Sequence, residues 1–337
     1  MIIVFDTNAY LYLADGNDST VVKQRVEMLR SAEAKYSEPI HALICDTVAQ
    51  ELISHLHDPM SEDDCMRFGA CQAMYYHCGD KEHYGLLPQI WVQIAKELVD
   101  FEYSRLINNQ KHVGQMLFQI SKLDSIDRLA TLNKEFKRNV NTIYNTIIET
   151  EQLFENVLQY VYDVWHKTDK SVNQEKRIEN KRRLKNVLQQ DQALDSFMAF
   201  VILSALQQSL FKDCGIVLNP TQEMFNRVIA SNKIPTEQFR VVLYGLKEKE
   251  ARPDKGNRLN TIWDTFILFA AGKTISNEKI LIVSGDNKMV NAAKKVAERE
   301  KRDNKEVITY SEYMRKLHLE ELIPATLKEK MKKSIDN

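Results

Sequence analysis

The chain has 337 residues, 44% of them hydrophobic and 28% charged, which is an ordinary globular composition with enough length for two domains. Its 46 basic and 47 acidic residues leave a net charge of −1, so no global field draws in nucleic acid or an anionic membrane, and any such contact must be local. No apolar run approaches the roughly 18 residues that span a bilayer, and no basic region or small-residue cleavage site opens the chain; the reading is a cytoplasmic protein with no membrane partner.

Ile2, Ile3, Val4 and Phe5 form a continuous, β-branched apolar run, as expected of a strand buried on both faces of a parallel sheet. The run stops at Asp6, followed by Thr7 and Asn8. Ligands of open α/β sheets bind at the carboxyl ends of strands, so Asp6 stands at the mouth of such a crevice; read alone, it is equally a turn or N-cap carboxylate. Helices are expected over 9–14 and 20–35, a second strand over 41–45, and a helix from Asp46 or Thr47 toward Pro59, with Glu51 near its positive end and His55 and His57 near its close.

From Pro59 to Pro253 the character changes. Between Gln115 and Cys214 there is neither Gly nor Pro, and apolar residues recur at helical spacing, for example Val140, Ile143, Tyr144 and Ile147. The block is predicted to be an all-α bundle. The five cysteines (Cys45, Cys65, Cys71, Cys78 and Cys214) read as free thiols, since with His77 they match no common zinc spacing. The stretch 166–185 is the most basic, and Arg177, Lys181 and Lys185 share one helical face, either a solvated face or a phosphate-tracking patch.

A linker near 251–258 leads to LNTIWDTFILFAAGKT, a helix with Asn260 and Asp264 one turn apart on one face. A charge on so apolar a helix needs a cleft, a cation or a partner. A second buried strand, Ile280 to Val283, ends in Ser284, Gly285 and Asp286, repeating the pattern at Asp6. A helix over 289–302, a short strand over 307–310, a last helix and a Lys-rich tail complete the chain. The divisions read as 1–58 and 254–320 for a discontinuous strand-and-helix domain, 59–253 for the helical insertion and 321–337 for the basic tail.

Four carboxylates, Asp6, Glu51, Asp264 and Asp286, are thus candidates to converge. Clustered carboxylates repel one another and are kept together to bind hard cations, Mg²⁺ or Mn²⁺. FDTNAY, the acid inside VAQELI, the Asp of NTIWDTFIL and VSGDNKM, in this order, resemble the acidic motifs of the PIN-domain ribonucleases. The resemblance covers 1–58 and 258–319 and implies a three-layer α/β/α sandwich with a parallel sheet. It further implies metal-dependent endonucleolytic cleavage of RNA, with Asp6, Glu51, Asp264 and Asp286 as catalytic metal ligands. Asn8 matches a supporting polar position, as does Ser284, with Asn260 as a further candidate. Lys288 stands where many members carry another acid. Neutralising one ligand, as in Asp6→Asn, is expected not to destabilise the metal-free protein. The helical block is expected to choose the RNA, bind a protein partner or inhibitor, or cover the site, and homo-oligomerisation is left open. Two other readings are a catalytically silent PIN-like binding module and a haloacid-dehalogenase-like phosphohydrolase. The second family wants an Asp where Asn8 stands.

Overall fold

The computed structural model describes residues 1–16, 18–57, 62–80, 83–88, 90–99, 104–166, 175, 178–179, 182–183, 186, 190–246 and 258–329. The protein is an α/β structure built on a five-stranded sheet. Strand β1 (Ile2–Phe5) is buried along its whole length. It pairs in parallel with β2 (His41–Ala42) on one side. On the other side lies β6 (Glu278–Ser284), reached after the helical block, in a register that sets Ile2 against Ile280 and Phe5 against Val283. The two apolar runs therefore end level, and the residues that follow them, Asp6 and Ser284, emerge side by side. Strand β7 (Val307–Thr309) extends the sheet in parallel beyond β6.

The expectation of a wholly parallel sheet is corrected at β5 (Thr274–Ile275), which runs antiparallel to the start of β6. The cause is local: Ser276 and Asn277 both have positive φ, 49° and 66°, which turns the chain in the two-residue hairpin geometry that suits strand twist. The sheet is therefore mixed. The expected strand over 41–45 is shorter than predicted, its remainder surviving as a single bridge between Ile44 and Leu86.

Helix α1 (Thr7–Ala14) follows β1 directly, and α2 (Ser19–Glu33) and α3 (Asp46–Ser54) complete the N-terminal part. The helical block that follows contains α4 (Glu62–Cys78), α5 (Ile90–Val99), α6 (Ser104–Ser121) and the long α7 (Lys134–His166). It continues through α8 (Asp191–Cys214), α9 (Gln222–Ser231) and α10 (Lys233–Gly245). It is not all-α: β3 (Gly79–Asp80) and β4 (His83–Tyr84) form an antiparallel pair where Gly79 ends α4. After it come α11 (Arg258–Leu268), α12 (Asn287–Arg299) and α13 (Tyr310–Lys316). None of the described helices is long and apolar enough to cross a membrane. Lys181, Arg177 and Lys185 lie outside the described residues.

Among the described residues two apolar cores result. The first joins the sheet to α1–α4, to α6, and to Phe136 and Val140 at the start of α7. Residue Gly69 lets α4 enter it: a Cβ there would stand 2.5 Å from the Gly16 carbonyl oxygen. The second gathers α5, α8, α9 and α10 with Leu158 of α7. Helix α11 serves both, giving Ile267 and Leu268 to the first and Ile262 to the second. Asp264 lies between those sets.

Inside the first core sits a buried ion pair. His77 Nε2 meets Glu33 Oε1 at 3.1 Å, and Tyr313 Oη donates to the same oxygen at 2.6 Å. On its other nitrogen His77 meets Tyr10 Oη at 3.3 Å. His77 is thereby spoken for, and Cys45, Cys65, Cys71 and Cys78 are free thiols, as their spacing suggested. Burial opposes protonation of His77, but the Glu33 carboxylate outweighs it and raises the imidazole to about 10 from 6.5. The pair's stabilisation is therefore complete below pH 6.5 and fades as pH rises through about 10. Glu33→Gln removes the charge that holds His77 protonated against its burial, and the ion pair is lost. The substitution is expected to lower stability at pH 7 by about 3 kcal/mol and to flatten the loss of stability between pH 6.5 and about 10, both read from urea midpoints.

Candidate metal centre

The site is assembled by the level ends of β1 and β6. Asp6 is 1% exposed and caps α1. Its Oδ1 accepts from Ala9 N at 2.6 Å and Gly285 N at 3.0 Å, and its Oδ2 accepts from Ser284 Oγ at 2.5 Å. The cap reading and the ligand reading of Asp6 thus meet in one residue. A carboxylate offers about four lone-pair sites, and three donors use most of them, leaving room for one further partner. Burial raises the Asp6 carboxyl, and the hydrogen bonds from Ser284, Gly285 and Ala9 pull it back without cancelling the rise.

Ser284 is fully buried and works in two directions, donating to Asp6 and accepting from Asp286 N at 2.9 Å. Asp286 caps α12 through Lys288 N at 2.7 Å. The side-chain donor to Asp6 is Ser284, and Asn8 lies close against Gly285. A Cβ on Gly285 would stand 2.5 Å from the Asn8 Cβ and 2.7 Å from Tyr12 Cε2. Gly285 is thus the residue that lets α1 approach β6. Gly285→Ala forces the helix away from the strand and is expected to cost about 1–3 kcal/mol in thermal unfolding.

Glu51 reaches the site from α3. Thr7 Oγ1 donates to Glu51 Oε2 at 2.5 Å. Burial, followed by the charge of Asp6, lifts Glu51 from 4.5 to about 7 against that hydrogen bond. Asp264 arrives from α11. Burial raises it first, then the charges of Asp6, Asp286 and Glu51, to about 8; Lys288 alone works the other way. Each of the other three candidates therefore acts on Asp264, so the four form one electrostatic cluster. The neighbouring Tyr12 hydroxyl is raised by burial and by the same Asp6 and Asp286 charges. Asn260 belongs to α11, but its side chain lies outside the described residues.

The cluster is looser than the ligand set expected from the sequence. Among the described residues no group of three His, Cys, Asp or Glu side chains stands close enough, as placed, to hold a metal ion. Two cations oppose the cluster's mutual repulsion, Lys288 at Asp264 and Arg67 at Glu51. The chemistry of the four carboxylates still fits a hard divalent cation, since the donors are all oxygens, drawn from rigid strand ends and helices.

Several residues of the site were not anticipated. Thr7, Gly285 and Lys288 are local to the motifs. Trp263 and Glu151 come from α11 and α7, with Trp263 Nε1 donating to Glu151 Oε1 at 3.0 Å. Glu51, Glu151 and Trp263 line a cavity of about 330 Å³ between α3, α7 and α11. Only the Asp264 side of α11 had a visible signal, a charge on an apolar face. The chain matches no family model, no curated protein and no solved structure.

Proposed function

We propose that the protein is a Mg²⁺- or Mn²⁺-dependent endoribonuclease of PIN type. The observation that carries this reading is the level pairing of β1 and β6, which ties Asp6 to Asp286 through Ser284, with Glu51 held beside them by Thr7 and Asp264 feeling all three charges. Four acids from separate elements held in mutual repulsion is a cost that a bound cation removes.

Asp6, Glu51, Asp264 and Asp286 would hold the cation. When bound, it supplies charge stabilisation at the scissile phosphate and lowers the pKa of the attacking water. The chain's own groups do the rest. Ser284 and Gly285 lock the orientation of Asp6. Thr7 fixes Glu51. Lys288, whose charge already bears on Asp264, offers a cation to a phosphate oxygen. The surrounding burial raises Glu51 and Asp264 until a cation displaces their protons, so cation binding releases protons near neutral pH.

A second reading has an observation in its favour. Most of the accepting capacity of Asp6 is already used by its hydrogen bonds, as suits a PIN-like binding module in which Asp6 is purely structural. Incubation of a mixed single-stranded RNA with Mn²⁺ or with EDTA separates the two. Cleavage with Mn²⁺ only, absent in the Asp264→Asn protein at unchanged folding, supports the enzyme. Equal cleavage by both proteins overturns it.

A further inference from the structure

The cavity beside Glu51 has a chemistry that the cation site does not use. Its volume, about 330 Å³, lies at the small end of ligand pockets and suits one small ring system rather than a helix of nucleic acid. One wall is aromatic. Tyr144 and His57 stack with centroids 4.4 Å apart and planes inclined by 14°. Tyr144 remains 37% exposed, so its ring can still extend the stack. The same helix presents Glu151 to the cavity, seven residues on from Tyr144, and its carboxylate is oriented by the indole N–H of Trp263 at 3.0 Å. Glu51 belongs to both the cavity and the acidic cluster, which sets the cavity one side chain away from the proposed reaction centre.

We infer that this cavity is a base-recognition pocket for guanine in a single RNA strand. The inference rests on the nuclease reading for its biological sense, though the pocket itself is testable without it. Bases of single-stranded RNA are read by stacking on aromatic rings and by hydrogen bonds to their Watson–Crick edges. An ionised carboxylate accepts only. Guanine alone offers it two adjacent donors, N1–H and the N2 amino group. Adenine and cytosine place a ring-nitrogen acceptor beside their single amino group, and uracil flanks its one N–H with two carbonyls. Facing Glu151, those three bases each set an acceptor against an acceptor. A guanine stacked on Tyr144 and paired with Glu151 brings its own backbone toward Glu51. The cut is then expected next to guanosine.

The test uses the full chain and the four nucleoside 5′-monophosphates in EDTA, with binding followed by tryptophan fluorescence. The phosphate is common to all four, so differences report the base. GMP is expected to bind at least tenfold more tightly than AMP, CMP or UMP. Glu151→Gln should cut that preference at least fivefold, while Tyr144→Ala should weaken all four nucleotides together. Equal binding of the four by the wild-type chain, or a guanine preference that survives Glu151→Gln, overturns the inference. Loss of the fold in Glu151→Gln is checked by its melting curve, and the position of cuts in RNA gives an independent measure. Cuts with no base preference count against the pocket and leave the nuclease standing. GMP preference without any cleavage keeps the pocket and removes the nuclease.

Discussion

Replacing Asp264 by asparagine is expected to raise the melting temperature of the cation-free protein at pH 8 while abolishing RNA cleavage. In the folded chain Asp264 titrates near 8, against 3.8 for an unperturbed Asp, because of burial and the charges of Asp6, Asp286 and Glu51, with Lys288 opposing. The sign follows directly. Between those two values the native state holds a proton that the unfolded state has released, so stability falls as pH rises. The penalty is absent below pH 3.8 and complete above about pH 8. One pKa unit corresponds to about 1.4 kcal/mol. Asp264 keeps some exposure, so screening reduces the full figure, and a gain of about 2–3 kcal/mol is expected in EDTA at pH 8. At pH 5, little more than one unit above the unperturbed 3.8, less than a third of that gap should remain. Glu51 adds a smaller component in the window from 4.5 to about 7. Equal melting temperatures at pH 8 would mean that Asp264 is not under the repulsion described.

The opposite sign is expected for removal of the Asp6 side chain. Asp6→Ala strips the acceptor from Ala9 N, Ser284 Oγ and Gly285 N at once, in a place that is 1% exposed. Each buried donor left unpaired costs about 1–3 kcal/mol, and the α1 cap is lost with them. Water entering the new space recovers part, so a net loss of about 3–4 kcal/mol is expected. Asp6→Asn keeps one oxygen for the backbone donors and offers its amide to Ser284, so it should fold with near wild-type stability yet cut no RNA. Chemical denaturation of the two variants measures the difference. If alanine and asparagine behave alike, Asp6 does not tie β1 to β6.

The contrast between these two acids explains what the sequence could and could not reveal. Ile2–Phe5 and Ile280–Val283 are short, uninterrupted apolar runs, each closed by a small polar group, and that pattern alone announces a buried strand ending at a crevice. Their exact level in the sheet depends on pairing across more than 270 residues, as in Phe5 against Val283, and no local signal carries it. Asp264 was visible because an acid interrupts an apolar helical face. Glu151 was not, because on α7 it lies among other polar residues and only the docking of α7 against α11 brings it to Trp263. The hairpin at Ser276–Asn277 was missed for another reason. Neither residue is the Gly that most often marks such a turn, yet both adopt positive φ. The helical stripes of the central block told which faces are buried but not against what, and part of that block shares the core of the sheet.

The most direct measurement is a pair of melting curves at pH 7.5, for wild type and Asp264→Asn, each in EDTA and in Mn²⁺, with no RNA present. Binding that favours only the folded state stabilises by about 2.7 kcal/mol at a hundredfold excess over the dissociation constant. Wild type is expected to gain about that amount with Mn²⁺ and to lose it with EDTA. Asp264→Asn, starting higher in EDTA, is expected to gain less than a third as much, so that the gap between the two proteins shrinks by about 2 kcal/mol when the cation is added. Equal gains in both, or no gain in wild type, would contradict a cation site built on Asp6, Glu51, Asp264 and Asp286.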